Sequence, residues 1–147
     1  MQTFITDHNM SINARNLDNK RLGKQRVEAL QIFECLIIKE TKWKNHPAVK
    51  MWEGYESFLL LRYLYPILYE WENVRGFKNL KCKLKWVRYQ ENYDISFYNV
   101  IIKPPWITDG FIEAHRSNLI AKYPGFYRPL FPNTKDGLEY IWPKGLS

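Results

Sequence analysis

The sequence predicts an all-α fold: a compact, single-domain bundle of three to four helices with an N-terminal arm and an irregular, aromatic C-terminal tail. Two observations carry this prediction. Apolar residues recur at helical spacing over residues 16–40 and 108–122, and residues 48–74 are apolar on nearly all sides. Alternation typical of a strand is confined to the short segment LKCKLKW at residues 80–86.

Length and composition fit one globular domain over residues 1–147. The chain has 147 residues, 46% of them hydrophobic, which is enough to bury one core without cross-links. Cys35 and Cys82 form no metal-binding or disulfide pattern, so we expect no metal and no cofactor. No apolar run approaches the roughly 18 residues of a membrane span, and no secretory signal is visible. We therefore expect a cytoplasmic protein (of the nucleoid, or of the host cytosol if viral) without a membrane partner.

The first elements are an arm and a helix. Residues 1–16 are predicted to be irregular, because they are rich in residues that favour turns and caps. A first helix is predicted over residues 16–40. Its inward stripe is predicted to consist of Leu22, Ala29, Phe33 and Leu36.

A second helix is predicted to form the centre of the core. Pro47 suits its first turn, and Asn45 or His46 can cap it. Pro66 is expected to kink or split this helix, because proline removes a backbone donor and clashes with the preceding turn. Gly76 is expected to end it.

The segment of residues 77–100 fits either a strand or a helix. In both cases its lysines form a basic edge or face. If the segment is helical, this basic face contains Lys78, Lys81, Lys85 and Arg88.

The remaining chain is predicted to form a third helix and a tail. KPPW at residues 103–106 must be extended, because the second proline keeps the first out of the helical region. Thr108 or Asp109 then caps a helix that Pro124 stops. Residues 125–145, rich in proline and aromatic side chains, are expected to wrap the body.

The charge balance indicates a polyanionic partner. Lys and Arg number 22 against 15 Asp and Glu, which gives a formal net charge of +7. Aromatic residues make up 16% of the chain and can either pack in a core or stack on bases. Composition alone leaves both uses open.

The first helix carries one polar face that continues into apolar residues. Its members, spaced i, i+3, i+4 and i+7, are Arg21, Lys24, Gln25 and Glu28. Because Ile32 and Cys35 continue this face, we expect the polar part to be the floor of a cleft. A carboxylate among cations stays ionised and can stabilise a positive transition state, while the cations hold phosphates. The alternative is a solvated first turn in which Glu28 pairs with Lys24 or Arg21.

Two histidines are weaker candidates for substrate contact. His115, followed by Arg116, lies in the third predicted helix, and His46 lies at the start of the second. A hydrogen-bonded helix histidine and a helix cap are the alternative interpretations. No glycine-rich phosphate loop, GxSxG or HExxH motif is present, so these enzyme classes have no support.

Four long segments, in order along the chain, carry a family resemblance: NLDNKRLGKQRVEALQ, KNHPAVKMWEGYESFL, PPWITDGFIEAHRSNLIAKYPGFYRPLFP and YIWP. They resemble the pyrimidine-dimer DNA glycosylase (endonuclease V) family, in its branch of small bacterial and viral proteins. The resemblance implies a helical DNA-binding fold that flips a base out of the duplex. It also implies that the N-terminal arm lies against the start of the first helix.

The resemblance further implies a catalytic site that this sequence matches in part. In that family the α-amine of an N-terminal Thr attacks the sugar C1′, helped by a first-helix Glu and nearby Arg residues. This chain begins Met1-Gln2, and Gln is too bulky for ordinary Met removal. Aligning Arg26 with the family places the catalytic Glu position on Gly23. We therefore predict Glu28 as the carboxylate, with an amine at Met1 or Gln2 as the nucleophile if one is used.

The predicted function is a DNA base-excision repair enzyme that cleaves an N-glycosidic bond, with associated lyase activity left open. Its expected partner is duplex DNA with a flipped base, and no obligate protein partner is implied. The predicted nucleic-acid contacts are Arg21, Lys24, Gln25, Arg26, His46, His115 and Arg116. The alternatives are a non-catalytic nucleic-acid-binding module on the same fold and an enzyme for a small nucleotide or modified base.

Overall fold

A computed structural model describes residues 1–38, 41–92 and 101–143. Within these ranges the chain is helical or irregular and forms no strand, which confirms the all-α prediction. The helices are α1 (Met10–Asn16), α2 (Asn19–Ile38), α3 (Pro47–Lys50), α4 (residues 56–74), α5 (Leu80–Asn92), α6 (Asp109–Lys122) and α7 (Pro124–Leu130).

The predicted irregular arm of residues 1–16 is shorter than expected, because Met10–Asn16 is helical. Asn9 caps this helix: its side-chain oxygen accepts hydrogen bonds from the backbone N–H of Ser11 at 2.9 Å and of Ile12 at 3.1 Å. The irregular segment proper is the N-terminal stretch before this cap.

Helix α2 begins three residues later than predicted. Leu17, with φ −83° and ψ 137°, is extended and ends α1, so the next helix starts at Asn19. The predicted inward stripe is buried, and so are Ile32 and Cys35. The predicted end at Glu40 lies outside the described residues.

The predicted second helix is in fact two helices. His46 caps α3, and its Nδ1 accepts a hydrogen bond from the Ala48 N–H at 3.0 Å. The chain then turns through Gly54, whose φ of +85° is in the left-handed region that favours glycine. Helix α4 starts after this turn.

Pro66 does not split α4, because the chain stays helical through Tyr65–Tyr69. The helix widens into a π-helical turn at Leu59–Leu64 directly before it and into another at Glu70–Val74. A wide turn changes which carbonyl faces the proline ring, so the helix accommodates the missing N–H without a break. Gly76, with φ +73°, follows the end of α4 as predicted.

The ambiguous segment is helical from Leu80 to Asn92, and residues 93–100 lie outside the described residues. Three members of the predicted basic face, Lys78, Lys81 and Arg88, are exposed, whereas the fourth, Lys85, is half-buried and pairs with Glu34 at 3.4 Å. Trp86 fastens α5 to α4: its Nε1–H donates to the Leu60 carbonyl at 2.8 Å.

Helix α6 is capped by Thr108, whose hydroxyl accepts from the Phe111 N–H at 3.2 Å. Pro124 ends α6 as predicted but also begins α7, so the tail is not irregular from its start. Residues 131–143 are irregular, and they dock on α6 where the Leu138 N–H donates to the Ser117 hydroxyl at 3.0 Å. Residues 144–147 lie outside the described part of the chain.

Helix α2 lies at the centre and contacts α3, α4 and α5, while α6 packs against α7. The largest fully buried side chains include Trp52, Tyr63, Tyr127, Phe33 and Phe111. Among the described helices, none has both the length and the hydropathy that crossing a bilayer requires.

Candidate active site around the N-terminal arm

The first six residues form an extended arm that runs through the interior of the protein. Thr3, Phe4, Ile5 and Thr6 are all buried, and no strand lies beside them among the described residues. A buried backbone needs partners for its N–H and carbonyl groups. In this arm, side chains of the surrounding helices supply most of them.

Gln25 of α2 holds the arm with both ends of its amide. Its Oε1 accepts from the Phe4 N–H at 3.0 Å, and its Nε2 donates to the Gln2 carbonyl at 2.9 Å. The amide therefore pairs with the arm as the backbone of a neighbouring strand would. This assigns Gln25, predicted as a nucleic-acid contact, to positioning the arm.

Three more side chains hold the next residues of the arm. The Ile5 N–H donates to His115 Nδ1 at 2.9 Å, and the Thr6 N–H donates to Asn13 Oδ1 at 2.6 Å. The Thr6 carbonyl accepts from Arg116 Nε at 2.8 Å. Helices α1, α2 and α6 thus fix the arm along its length.

Two buried aromatic residues make the remaining contacts with the arm. The Tyr63 hydroxyl lies 2.9 Å from the Phe4 carbonyl and makes a short hydrogen bond to Gln25 Oε1. The indole N–H of Trp52 donates to the Thr3 hydroxyl at 3.1 Å. Because Trp52 and Tyr63 are fully buried, the arm lies against a rigid part of the core.

Glu28 lies at the outer end of the arm. Its Oε2 accepts from the Gln2 N–H at 3.4 Å and from Gln25 Nε2 at 3.3 Å, and the side chain is half-buried. Burial, followed by the negative charge of Glu28, raises the pKa of the Tyr63 hydroxyl well above its ordinary range. The backbone N–H that donates to Glu28 belongs to Gln2, the residue after the one that carries the α-amine.

His46 lies near the same amine. Burial, and then the positive charge of the Met1 amine, lower the pKa of His46. Its Nδ1 is occupied by the Ala48 N–H, so the neutral ring carries its proton on Nε2. The structure thus brings Gln2 and Glu28 together at one end of the arm, and His46 lies within electrostatic reach of the Met1 amine.

The cations of the predicted polar face differ in how free they are. Lys24 is exposed, lies one turn before Glu28, and has no ion pair or hydrogen bond with any described residue. Lys20, a further turn back, is also exposed. Arg21 instead pairs with buried Asp18 at 3.3 Å, which places it in a structural contact.

Arg26 lies on a different face of α2 from Glu28. Its guanidinium sits 4.5 Å from the Trp71 ring centroid, and its Nη1 donates to Asn79 Oδ1 at 2.8 Å. On the same side, a Cβ added to Gly23 would lie 3.0 Å from Trp71 Cη2. This placement favours a packing role for Arg26 over the predicted DNA contact. Gly23, the position that the alignment gives to the catalytic Glu of the family, faces Trp71 and therefore points away from the arm.

Arg116 is held in contacts within the protein. Besides the Thr6 carbonyl, it meets Glu113 at 3.3 Å and Asp7 at 3.8 Å, and it lies 4.9 Å from the Phe131 ring centroid. These contacts favour a structural role for Arg116, because its guanidinium is occupied and is not free to bind a phosphate.

His115 is fully buried, and burial lowers its pKa to about 3. Its Nδ1 accepts from Ile5, so the neutral imidazole carries its proton on Nε2. The ring faces Tyr140, with centroids 4.8 Å apart. This arrangement makes His115 a fixed neutral donor beside the arm.

Sequence reasoning did not single out Thr3, Trp52, Tyr63 or Tyr140. Trp52 and Tyr63 lie in the segment predicted to form the centre of the core, and only packing shows that their polar ends meet the arm. Tyr140 belongs to YIWP, one of the segments that carried the family resemblance. In the described ranges, no three His, Cys, Asp or Glu side chains are placed to hold a metal ion.

Comparison with known proteins adds one match. A family model described as pyrimidine dimer DNA glycosylase matches residues 1–84, more than half of the chain. Searches of curated proteins and of solved structures found no significant match. The matched residues include the arm, Gln25, Glu28 and His46, whereas His115 and Tyr140 lie beyond them.

Proposed function

Because the chain belongs to the pyrimidine dimer DNA glycosylase family, we propose that it cleaves the N-glycosidic bond of a base in duplex DNA, with Glu28 and the Met1 amine as catalytic groups. The family supports a DNA glycosylase-type repair role. The observation that carries the finer proposal is the 3.4 Å contact between the Gln2 N–H and Glu28 Oε2. This contact holds Glu28 against the residue that follows the Met1 amine, and it supports a shared role for the two groups.

Glu28 stabilises the sugar as the base departs. Breaking a glycosidic bond leaves positive charge on the sugar ring, at C1′ and the ring oxygen. A half-buried carboxylate, oriented by Gln2 and Gln25, stabilises that charge more than water does, because it is already in place. The same carboxylate serves whether an amine or water attacks.

The Met1 amine is the nucleophile of this proposal. At pH 7 an α-amine of ordinary pKa is about 10–20% neutral, whereas an ordinary lysine is less than about 0.1% neutral. The amine nitrogen bonds to C1′ while the C1′–N bond to the base breaks, and the base leaves with the electron pair and takes up a proton. Loss of the amine proton and opening of the sugar then give an imine, the species from which lyase chemistry proceeds.

DNA approaches along the exposed lysines. Lys20 and Lys24 lead along α2 toward Glu28, and neither pairs with a described carboxylate. Phosphate contacts from lysines supply affinity without sequence preference. Arg21, Arg26 and Arg116 support the fold that holds this surface.

The proposal is tested by incubating the protein with a panel of duplexes that carry damaged and modified bases, with and without borohydride. We expect base release, and an adduct that peptide mapping assigns to Met1 in a protein whose intact mass retains Met1. An adduct on Lys20 or Lys24 would transfer the nucleophile to a lysine, and release without an adduct would assign it to water. If no duplex in the panel loses a base but duplexes still bind, the chain is a binding module. If duplex binding is absent too, the small-nucleotide alternative is favoured.

A further inference from the structure

A groove between α4 and α5, the α4–α5 groove, lies apart from the arm and contains a cavity of about 170 Å³. The side chains that line this cavity include Tyr65, Tyr69, Glu72, Asn79 and Trp86. Asn79 is bonded to Arg26, which lies on a different face of α2 from Glu28. The cavity and the proposed catalytic groups are therefore on different sides of α2.

Asn79 presents an oriented hydrogen-bond donor to this cavity. Its side chain is buried, the residue being 4% exposed, and its Oδ1 accepts from Arg26 Nη1 at 2.8 Å. The other end of the amide, Nδ2, has no hydrogen-bond partner among the described residues. Buried donors in folded proteins are nearly always paired, so the cavity fits a group that brings an acceptor oxygen.

An apolar stripe on α5 leads to the same cavity. Leu80, Leu84 and Val87 are spaced i, i+4 and i+7, so they share one face of the helix. Leu80 is 69% and Leu84 56% exposed, and Val87 lies at the edge of the cavity. This spacing forms the kind of ridge against which a second helix packs.

The stripe has basic surroundings. The exposed cations on α5 and just before it are Lys78, Lys81, Lys83 and Arg88. Lys83 pairs with Glu72 at 3.4 Å, whereas the other three form no ion pair with a described carboxylate. The only carboxylate on α5 itself is Glu91, so this surface is net positive and complements an acidic partner. Because exposed leucines gain nothing from a phosphate backbone, the surface fits an acidic protein segment better than DNA.

We propose that the α4–α5 groove binds an acidic amphipathic helix of a partner protein. Apolar side chains of that helix pack on Leu80 and Leu84, its carboxylates face the exposed cations, and one glutamine enters the cavity. The glutamine carbonyl accepts from Asn79 Nδ2, and its N–H donates to the Glu72 carboxylate. An amide fits better here than a carboxylate, because the charge of Glu72 lines the cavity. The inference does not depend on the proposed function.

Two synthetic peptides, each about 18 residues long, test the inference. Both are helices with leucines on one face and glutamates elsewhere, and they differ only in whether the central residue of the apolar face is Gln or Leu. Fluorescence anisotropy should show that the wild-type protein binds both and prefers the Gln peptide about tenfold, since Leu would leave the Asn79 donor unpaired. Asn79→Leu should reduce this preference to within about twofold.

A second variant tests the apolar stripe without touching the cavity. Leu84→Glu should weaken the binding of both peptides by about tenfold or more, because it replaces an apolar contact with a charge that repels them. Leu84 is exposed, so this variant keeps the fold and tests the inference even if Asn79→Leu unfolds. Ile102→Glu is the matched control: Ile102 is 60% exposed, lies outside the groove and should leave both affinities unchanged.

Three results would overturn the inference. They are a wild-type protein that binds neither peptide, equal wild-type affinity for the two peptides, and a peptide affinity that Leu84→Glu retains. If Leu84→Glu weakens duplex binding instead, the groove is a DNA contact, and if it dissolves a dimer, the groove holds a second copy of this chain. Peptide binding is measured without base release, so either proposal can fail while the other stands.

Discussion

Three neighbouring side chains of α2 show how residue placement divides one face into separate roles. Gln25 is buried and holds the arm, Glu28 is half-buried at the end of the arm, and Lys24 is exposed without a described partner. The exposure of these side chains therefore increases from Gln25, which fixes the arm, through Glu28 to Lys24, which is free to contact phosphate. The proposed catalytic carboxylate, Glu28, holds the intermediate position, where a charge is desolvated in part but remains accessible.

Glu28→Gln should keep the fold and duplex affinity while slowing base release by about 10²-fold or more, the usual effect of losing one preorganised electrostatic stabiliser. The amide has the same shape and lacks the charge. Single-turnover base release and anisotropy measure the two effects separately. Glu34→Gln is the matched control, since Glu34 lies on α2 and pairs with Lys85 at 3.4 Å. Equal rates for Glu28→Gln and the wild type would remove Glu28 from catalysis.

His115 should make stability depend on pH. Its pKa falls from 6.5 to about 3 on folding, so below pH 6.5 the unfolded chain takes up a proton that the folded protein refuses. The free energy of unfolding should therefore decrease as pH falls, by up to about 1.4 kcal/mol per pH unit. Between pH 7 and pH 5 this amounts to about 2 kcal/mol, measurable by urea unfolding.

The comparison variant is His115→Asn, whose stability should lose this component of the pH dependence. If an imidazole NMR signal showed His115 protonated in the folded protein at pH 5, the interpretation would be wrong.

At the scale of elements, α2 makes specific contacts on two of its faces. One face holds the arm through Gln25, and the other packs Gly23 and Arg26 against Trp71. Trp71 is held in turn by Phe77, with ring centroids 4.3 Å apart, and by a hydrogen bond from Nε1 to the Lys78 carbonyl at 3.0 Å. The position of α2 relative to α4 therefore depends on a glycine that admits this ring.

Gly23→Ala should destabilise the protein by about 1 kcal/mol, because the clash with a held ring outweighs the helix propensity that alanine gains. Thermal unfolding measures this change. Gly125→Ala is the control: its added Cβ would meet Tyr123 Cε1 at an ordinary 3.8 Å. Gly23→Glu should be worse and should not restore activity to Glu28→Gln. Rescue by Gly23→Glu would show that the aligned position reaches the site after all.

At the scale of the whole molecule, the cations behind the net charge of +7 differ in whether they make contacts within the protein. Arg21, Arg26 and Arg116 are engaged in ion pairs, hydrogen bonds or ring contacts, whereas Lys24 is free among the described residues. A guanidinium can join several partners at once and suits structural contacts, while an exposed ammonium is available to phosphate. The lysines are thus the better candidates for DNA affinity.

Lys24→Ala should weaken duplex binding across sequences and lower the slope of log K against log salt by about one unit. Arg26→Ala should leave that slope unchanged and lower the melting temperature, because it removes the contacts to Trp71 and Asn79. Anisotropy titrations at several salt concentrations distinguish the two. A lower slope for Arg26→Ala would return it to the DNA surface.

The helices that sequence patterns predicted well are those with local signals. Thr108, Pro47 and Gly76 mark element ends through their own backbone chemistry, and each is found in the predicted place. Helix α1 was not predicted, because a helix cap and a turn use the same side-chain bond and Asn9 fits either one. That the helix continues through Pro66 could not be predicted, because the π-helical turn before this proline has no local signature.

The candidate site was predictable only in part for a related reason. Glu28 and Gln25 share a helix face, so their proximity follows from spacing alone. The bond between Ile5 and His115 joins residues 110 positions apart, and no periodicity reports such a pair. The family resemblance supplied the expectation that the arm meets α2, and the structure shows which atoms meet.

That separation also has a consequence for the order in which the protein matures. Residues 2–6 are synthesised long before His115 and Arg116, so the arm has no complete binding site while translation continues. Contacts so distant in sequence form late, since the intervening chain must first be ordered. The arm is therefore expected to reach its final position late in folding, after the helices that hold it. Pulse-labelled hydrogen exchange should show the Phe4 and Ile5 amides gaining protection after those of α2.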